Sequence, residues 1–279
     1  MKFHSIDTGF FKLDGGAMFG VVPKSMWNKL NPADENNMCT WAMRCLLVEF
    51  HDRLILVDTG MGNKFDDKFA SHFYPHGDAT LRKSLAAKGF EMDDITDVIL
   101  THLHFDHCGG AIVRNEEQQL VTAFPKATYW SNSEHWNWAL HPNAREKASF
   151  LKENILPIHE SGQLKFIDNE TTGLEEIMDI DYVFGHTEAM LIPHFYKKKH
   201  TVTYVADLIP SRHHIKMPYV MAYDIRPLET LKEKAQILEK SYENNHILFF
   251  EHDKDVECCT LDRNEFGIYF DNTFTIDEL

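Results

Sequence analysis

The sequence predicts an α/β fold, and three observations carry that prediction. Short β-rich runs alternate with helical patterns in both halves of the chain. Each half places His or Asp where an apolar run ends. The composition is ordinary for a globular chain, with 43% hydrophobic and 25% charged residues. A chain of 279 residues can bury one sizeable core, so a single domain over residues 1–279 is expected. No linker or low-complexity stretch interrupts it.

The elements follow in order. The segment from Leu13 to Trp27 is Gly-rich, then apolar and aromatic; it reads as a strand, a turn and a hydrophobic plug. Residues 41–50 and 54–57 read as strands joined by the hairpin His51-Asp52-Arg53. Residues 80–88 form a helix closed by Gly89. Asp97-Val98-Ile99-Leu100 reads as the end of a strand. Residues 133–154 are mostly helical, with a break at Pro142. Apolar runs before His186, Asp207 and His252 read as three more strands, and Lys197-Lys198-Lys199 as a hairpin turn. Pro227 opens a helix with Leu228, Leu231, Ala235, Leu238 and Tyr242 on one face. Asp262-Arg263-Asn264 separates two short β-rich runs near the end.

The chemistry concentrates in Thr101-His102-Leu103-His104-Phe105-Asp106-His107-Cys108-Gly109-Gly110. Burying so many polar side chains costs about 1–3 kcal/mol each unless something binds them. Imidazole and carboxylate are the donors of zinc-like metals. In an extended backbone, side chains at i and i+2 point the same way, so His102 and His104 face one site. Asp106 and His107 follow, where the chain turns toward a helix, and aim at a second point. One segment thus supplies half-shells for two metals. A His-rich surface loop is the plain alternative, but this order of His and Asp after an apolar strand favours ligation.

His-Leu-His-Phe-Asp-His resembles the His-x-His-x-Asp-His signature of the metallo-β-lactamase superfamily. Three later strand ends resemble the rest of its pattern: Gly185-His186-Thr187, Val205-Ala206-Asp207 and Glu251-His252-Asp253. The resemblance implies a four-layer αββα sandwich, with two mixed sheets flanked by helices. It implies that His102, His104 and His186 hold one metal, that Asp106, His107 and His252 hold a second, and that Asp207 bridges both. Asp58, in an Asp-Thr-Gly turn, would orient a ligand histidine. Asp58, Asp106, Asp207 and Asp253 would all lie near the metals.

The stretch Asp14-Gly15-Gly16-Ala17-Met18-Phe19-Gly20-Val21-Val22-Pro23, with Trp27, resembles a segment of quorum-quenching N-acyl-homoserine lactonases and of the related methyl parathion hydrolases. Asn31-Pro32, Asn36-Asn37 and Met221-Ala222-Tyr223-Asp224 match that group as well, so the likeness runs from about Leu13 to Asp253. It implies opening of an acyl homoserine lactone ring by a metal-bridging hydroxide, with Asp207 and Asp106 as the catalytic carboxylates. Two divalent ions are implied, with zinc the default and manganese, cobalt or iron fitting similar ligands. Met18, Phe19 and Trp27 would contact the acyl chain. Some lactonases place a Tyr three residues after the bridging Asp; here that position is Pro210, and Tyr223 is the candidate replacement. An organophosphate triesterase, an iron-dependent oxidoreductase and a non-catalytic metal module are the alternatives.

Other features bound the setting. A net charge of −15 repels phosphate backbones, so nucleic acid is not an expected partner. No run is long and apolar enough for a membrane span, and Met1 to Asp7 lack a signal-peptide core. The cytoplasm is the expected location. The five cysteines read as reduced thiols, with Cys108 a small buried residue. The expected partner is a small-molecule substrate, and the apolar N-terminal segment suits a homodimer interface equally well.

Overall fold

β-branched and aromatic runs form the strands, and their pairing builds two six-stranded mixed sheets and one small hairpin. The structure is a computed structural model that describes residues 1–168, 170, 172–197 and 200–279. In chain order the strands are β1 (Lys2–Asp14), β2 (Met38–Phe50), β3 (Arg53–Val57), β4 (Asp97–Ile99), β5 (Ile112–Arg114), β6 (Leu120–Thr122), β7 (Thr128–Ser131), β8 (Leu164–Phe166), β9 (Met178–Val183), β10 (Met190–Lys197), β11 (His200–Tyr204), β12 (Ile247–Phe249), β13 (Cys258–Asn264) and β14 (Gly267–Phe274). The helices are α1 (Gly15–Phe19), α2 (Lys24–Trp27), α3 (Asp67–Phe73), α4 (Leu81–Ala87), α5 (Phe105–Cys108), α6 (Ser133–Leu140), α7 (Lys152–Glu160) and α8 (Pro227–Glu243). Among the described residues, no helix is long and apolar enough to cross a membrane.

The chain divides into two compact units. The first comprises Met1–Gly9, Met43–His72 and Gly77–Glu175; the second comprises Phe10–Ala42, Phe73–His76 and Glu176–Leu279. Residues 10–14 of β1 and 38–42 of β2 therefore belong to the second unit.

The first unit carries the sheet ordered β1-β2-β3-β4-β7-β8. β3, β4, β7 and β8 run parallel, in the register Val57↔Ile99↔Trp130. Parallel strands in register end at one edge, so the residues after Val57, Ile99 and Trp130 gather there. The core of this unit packs Leu47, Leu56, Val98, Leu100, Phe124 and Tyr129, all fully buried. Burying each such side chain contributes about 1.5–3 kcal/mol.

The second unit carries the sheet ordered β14-β13-β12-β11-β10-β9. β10 is antiparallel to both β9 and β11, so β9 and β11 point the same way, and β12 is parallel to β11. The strands β9, β11 and β12 thus deliver their ends to one edge. His186, Asp207 and His252 each stand three residues beyond the last strand residue, namely Val183, Tyr204 and Phe249.

The mixed α/β class expected from the sequence is the observed one. Several local readings are corrected. The Gly-rich turn after Leu13 is helix α1, capped by the Asp14 carboxylate, which accepts from Ala17 N at 2.8 Å. Its glycine is a packing requirement: a Cβ on Gly15 would sit 2.4 Å from the Trp27 ring. Residues 133–154 hold only α6 and the start of α7, because the chain leaves the helix after Leu140, ahead of Pro142. Asp262-Arg263-Asn264 lies inside β13, and the turn falls at 265–266. In the expected Lys197–Lys199 turn, Lys198 and Lys199 lie outside the described residues.

α8 forms where Pro227 opens it, but its inward face differs from the expected one. Leu228 is 75% exposed, whereas Thr230, Glu233, Lys234, Ile237, Leu238 and Ser241 are buried. The buried face departs from the apolar one because Glu233 and Lys234 turn inward to main-chain partners.

Candidate metal centre

In the first unit, β4 ends at Ile99 and a short loop carries His102 and His104 into α5, which carries Asp106 and His107. All four are buried. The rings of His102 and His104 stand edge to face at 4.6 Å, with ligand atoms within 4.8 Å of each other. The His107 ring lies 3.9 Å from that of His102, and its Nε2 is 3.7 Å from Asp106 Oδ2. The fold therefore brings this unit's four predicted donors together. The glycines that follow are needed for close backbone passage. A Cβ on Gly109 or Gly110 would stand 2.1 Å from the carbonyl oxygen of Met61 or Thr59 respectively.

Outer contacts fix these rings. Asp58 stands one residue past β3 with a left-handed φ of 58°. Its carboxylate accepts from Thr101 N at 2.8 Å and from Thr101 Oγ1 at 2.6 Å, and it receives His107 Nδ1 at 3.1 Å. That contact puts the His107 proton on Nδ1 and leaves the Nε2 lone pair for a metal. Leu103 N donates to His135 Nε2 at 2.9 Å, which pins the loop between His102 and His104. Glu146 Oε1 stands 3.6 Å from His104 Nε2, while Oε2 accepts from Trp138 Nε1 and Asn143 Nδ2 at 2.9 and 2.6 Å. Burial pushes the Cys108 thiol up to about 12, so it is no nucleophile at neutral pH.

In the second unit, Asp207 lies between two histidines. Its Oδ2 is 3.1 Å from His186 Nε2, and its Oδ1 is 3.0 Å from His252 Nε2. The other ring nitrogens are occupied: His186 Nδ1 donates to Asp224 Oδ1 at 2.9 Å, and His252 Nδ1 donates to the Ala42 carbonyl at 2.8 Å. Ala206, just before Asp207, takes a left-handed φ of 41°. Burial opposes a charge on His186, but the Asp207 and Asp224 carboxylates outweigh it and raise its pKa to about 10. A buried setting that pulls positive charge this strongly suits a cation. The donor chemistry of both units fits a divalent metal: imidazole nitrogens and carboxylate oxygens, buried, with the far ring nitrogens of His107, His186 and His252 anchored.

Other predicted residues take different positions. Met18, Phe19 and Trp27 are at most 2% exposed, and Phe19 stacks on Trp27 at 5.4 Å and on His214 at 5.0 Å. They are packed interior rather than an open wall. Tyr223 is 39% exposed, next to Asp224. Pro210 offers its carbonyl to His252 N at 3.2 Å. Asp253 is engaged elsewhere, accepting from Arg212 Nη1 at 2.9 Å and Arg212 N at 3.0 Å. Asp224, His135 and Glu146 were not singled out from sequence. Asp224 lies in the Met221-Ala222-Tyr223-Asp224 stretch, where no local pattern marks its contact with His186.

Fold and donor sets together define a metallo-hydrolase of mixed α/β architecture. The metallo-beta-lactamase superfamily profile matches residues 44–252, and the chain belongs to that superfamily. The N-acyl homoserine lactonase AiiA of Bacillus thuringiensis subsp. kurstaki is 25% identical over 244 residues, which cover 84% of this chain and 88% of that protein. A solved structure described as a probable metal-dependent hydrolase from Staphylococcus aureus aligns with a TM-score of 0.87 at 24% identity, over 98% of this chain and 96% of that one. The dizinc quorum-quenching lactonase AidC, solved with a product homoserine, aligns at 0.78 with 22% identity, over 98% and 95%. These two structural likenesses bear on the fold.

Proposed function

We propose that the protein is a dinuclear metal-dependent hydrolase that opens the lactone ring of N-acyl homoserine lactones. One observation carries the metal part: in each unit, His and Asp donors stand together at strand ends with an outward ring nitrogen already held. The lactone part is supported by the AiiA relative, whose match covers 84% of this chain.

In this reading, His102, His104 and His186 hold one ion, Asp106, His107 and His252 hold the other, and Asp207 serves both. Zinc is the ion assigned, given nitrogen and oxygen donors. When bound, such ions acidify water toward neutral pH and polarise an ester carbonyl. Asp207 has one oxygen toward each of two histidines, and in this reading it passes a proton to the leaving alkoxide. Asp58 and Asp224 hold their histidines in the tautomer that ligation needs. Tyr223 is exposed enough to meet a substrate carbonyl. The five cysteines are buried and none is in a disulfide, which suits the reducing cytoplasm.

The test is lactone hydrolysis by purified, metal-assayed protein, followed by proton release with short and long acyl chains. Two metals per chain and turnover that falls at least 100-fold in Asp207→Asn are expected. Two bound metals with no lactone turnover would overturn the lactonase reading, and faster aryl phosphotriester cleavage would replace it with a triesterase.

A further inference from the structure

We propose that Glu233 and Lys234, adjacent on α8, are positioning residues that hold His186 from two sides. The proposal rests on the metal-centre reading above, in which His186 is a ligand.

Glu233 holds the backbone on which His186 sits. It is 7% exposed; its Oε1 accepts from Phe184 N at 2.6 Å and its Oε2 from Gly185 N at 2.9 Å. Hydrogen bonds to an ionised acceptor are the strong kind, and two on consecutive amides fix the peptide planes just before His186. Gly185 lets the helix approach: a Cβ there would stand 2.3–2.6 Å from Thr230. The same loop is held by Arg226 N to the Gly185 carbonyl at 2.8 Å and Ile225 N to the His186 carbonyl at 3.2 Å.

Lys234 holds the other side. Its side chain is fully buried, and Nζ donates to the carbonyls of His214, Lys216 and Tyr219 at 3.1, 3.1 and 2.9 Å. An ammonium has three protons, and all three have acceptors in one loop. That loop leads in five residues from Tyr219 to Asp224, which receives His186 Nδ1. Successive residues on a helix diverge by about 100°, so this pair reaches two loops at once. Those loops meet at the His186–Asp224 contact.

A core helix needs no buried charges, and apolar residues pack such positions at lower cost. Here two neighbouring charges are both spent on main-chain groups flanking one histidine. That pattern suits the fixing of a ligand rather than general packing.

The test uses Glu233→Gln and Lys234→Met, with zinc affinity read by chelator competition and amide exchange read over residues 184–187 and 214–224. Gln places an NH2 against one of the two amide donors it must satisfy. The expected result is that one of two bound zincs weakens roughly 10–100-fold while the other keeps its affinity. Lys234→Met weakens the same zinc less and speeds exchange over 214–224. The conservative Glu233→Asp and Lys234→Arg carry the test if the first pair does not fold, with partial weakening of that one zinc expected. Variants that lose thermal stability but keep both zinc affinities would show a purely structural role, and equal weakening of both zincs would also overturn the proposal. Wild-type protein that binds zinc but hydrolyses no lactone would sink the substrate reading alone. Wild type that binds no zinc would sink both.

Discussion

At the scale of the residue, Asp58 shows how a single carboxylate can hold a turn and a candidate ligand histidine together. Its left-handed backbone would relax in most surroundings, but here the Thr101 amide, the Thr101 hydroxyl and His107 Nδ1 all hold the side chain. Asp58→Asn keeps the shape and removes an acceptor from His107. We expect its metal affinity to fall by roughly 10–100-fold, read by chelator competition, with little loss of fold. Unchanged affinity would assign Asp58 to the turn alone. Asp58 was legible in the sequence through its Asp-Thr-Gly turn, which resembles that of the superfamily. Asp224 was not legible, since it reaches His186 across 38 residues of chain and no local pattern marks that pairing.

At the scale of the element, strand direction does most of the positioning. Parallel strands in register bring residues from distant parts of the chain to one edge without any long-range motif. The same strands contain a part-buried ion pair that ties them together. Asp97 in β4 is 2% exposed and pairs with Arg53 of β3, whose Nε lies at 2.9 Å. It also accepts from Trp130 Nε1 of β7 at 2.8 Å and from Thr96 Oγ1 at 2.7 Å. Asp97→Ala strands the guanidinium and the indole donor together, so a loss of about 3–5 kcal/mol is expected in urea unfolding. A loss below about 1 kcal/mol would mean that water replaces the carboxylate without cost. α8 gives the opposite lesson about reading elements. Its helical period was plain in the sequence, but its inward face was not, because Glu233 and Lys234 are buried by partners that only the folded chain supplies.

At the scale of the whole molecule, buried Lys234 and half-buried Lys64 give stability a distinct dependence on pH. Burial lowers Lys234 from 10.5 to about 8, and Lys64, which donates to the Gly109 carbonyl, to about 8 as well. Between about pH 8 and 10 the unfolded chain therefore holds more protons at these sites than the folded one. The charged form is the one that opposes folding, so their contribution grows more favourable as pH rises through that window. For Lys234 the full effect is about 3 kcal/mol. The stability of wild type relative to Lys234→Met should rise between pH 7.5 and 9.5 in urea titrations. A difference that stays flat across that range would mean that Lys234 keeps an ordinary pKa.

The sequence by itself determined the fold class and put forward the candidate donors. Strand runs, the His-Leu-His-Phe-Asp-His segment and the later His and Asp at strand ends are all local signals, set by side-chain type and by spacing along one stretch of chain. Tertiary structure decided what those signals leave open. It decided that Met18, Phe19 and Trp27 are packed inside, that Asp253 serves Arg212, and that Asp224, His135 and Glu146 stand against the predicted ligands or their loop. The reason is physical. A donor's chemistry belongs to its own residue, whereas burial and hydrogen-bond partnership belong to pairs of residues that meet only when sheets and helices have closed around them.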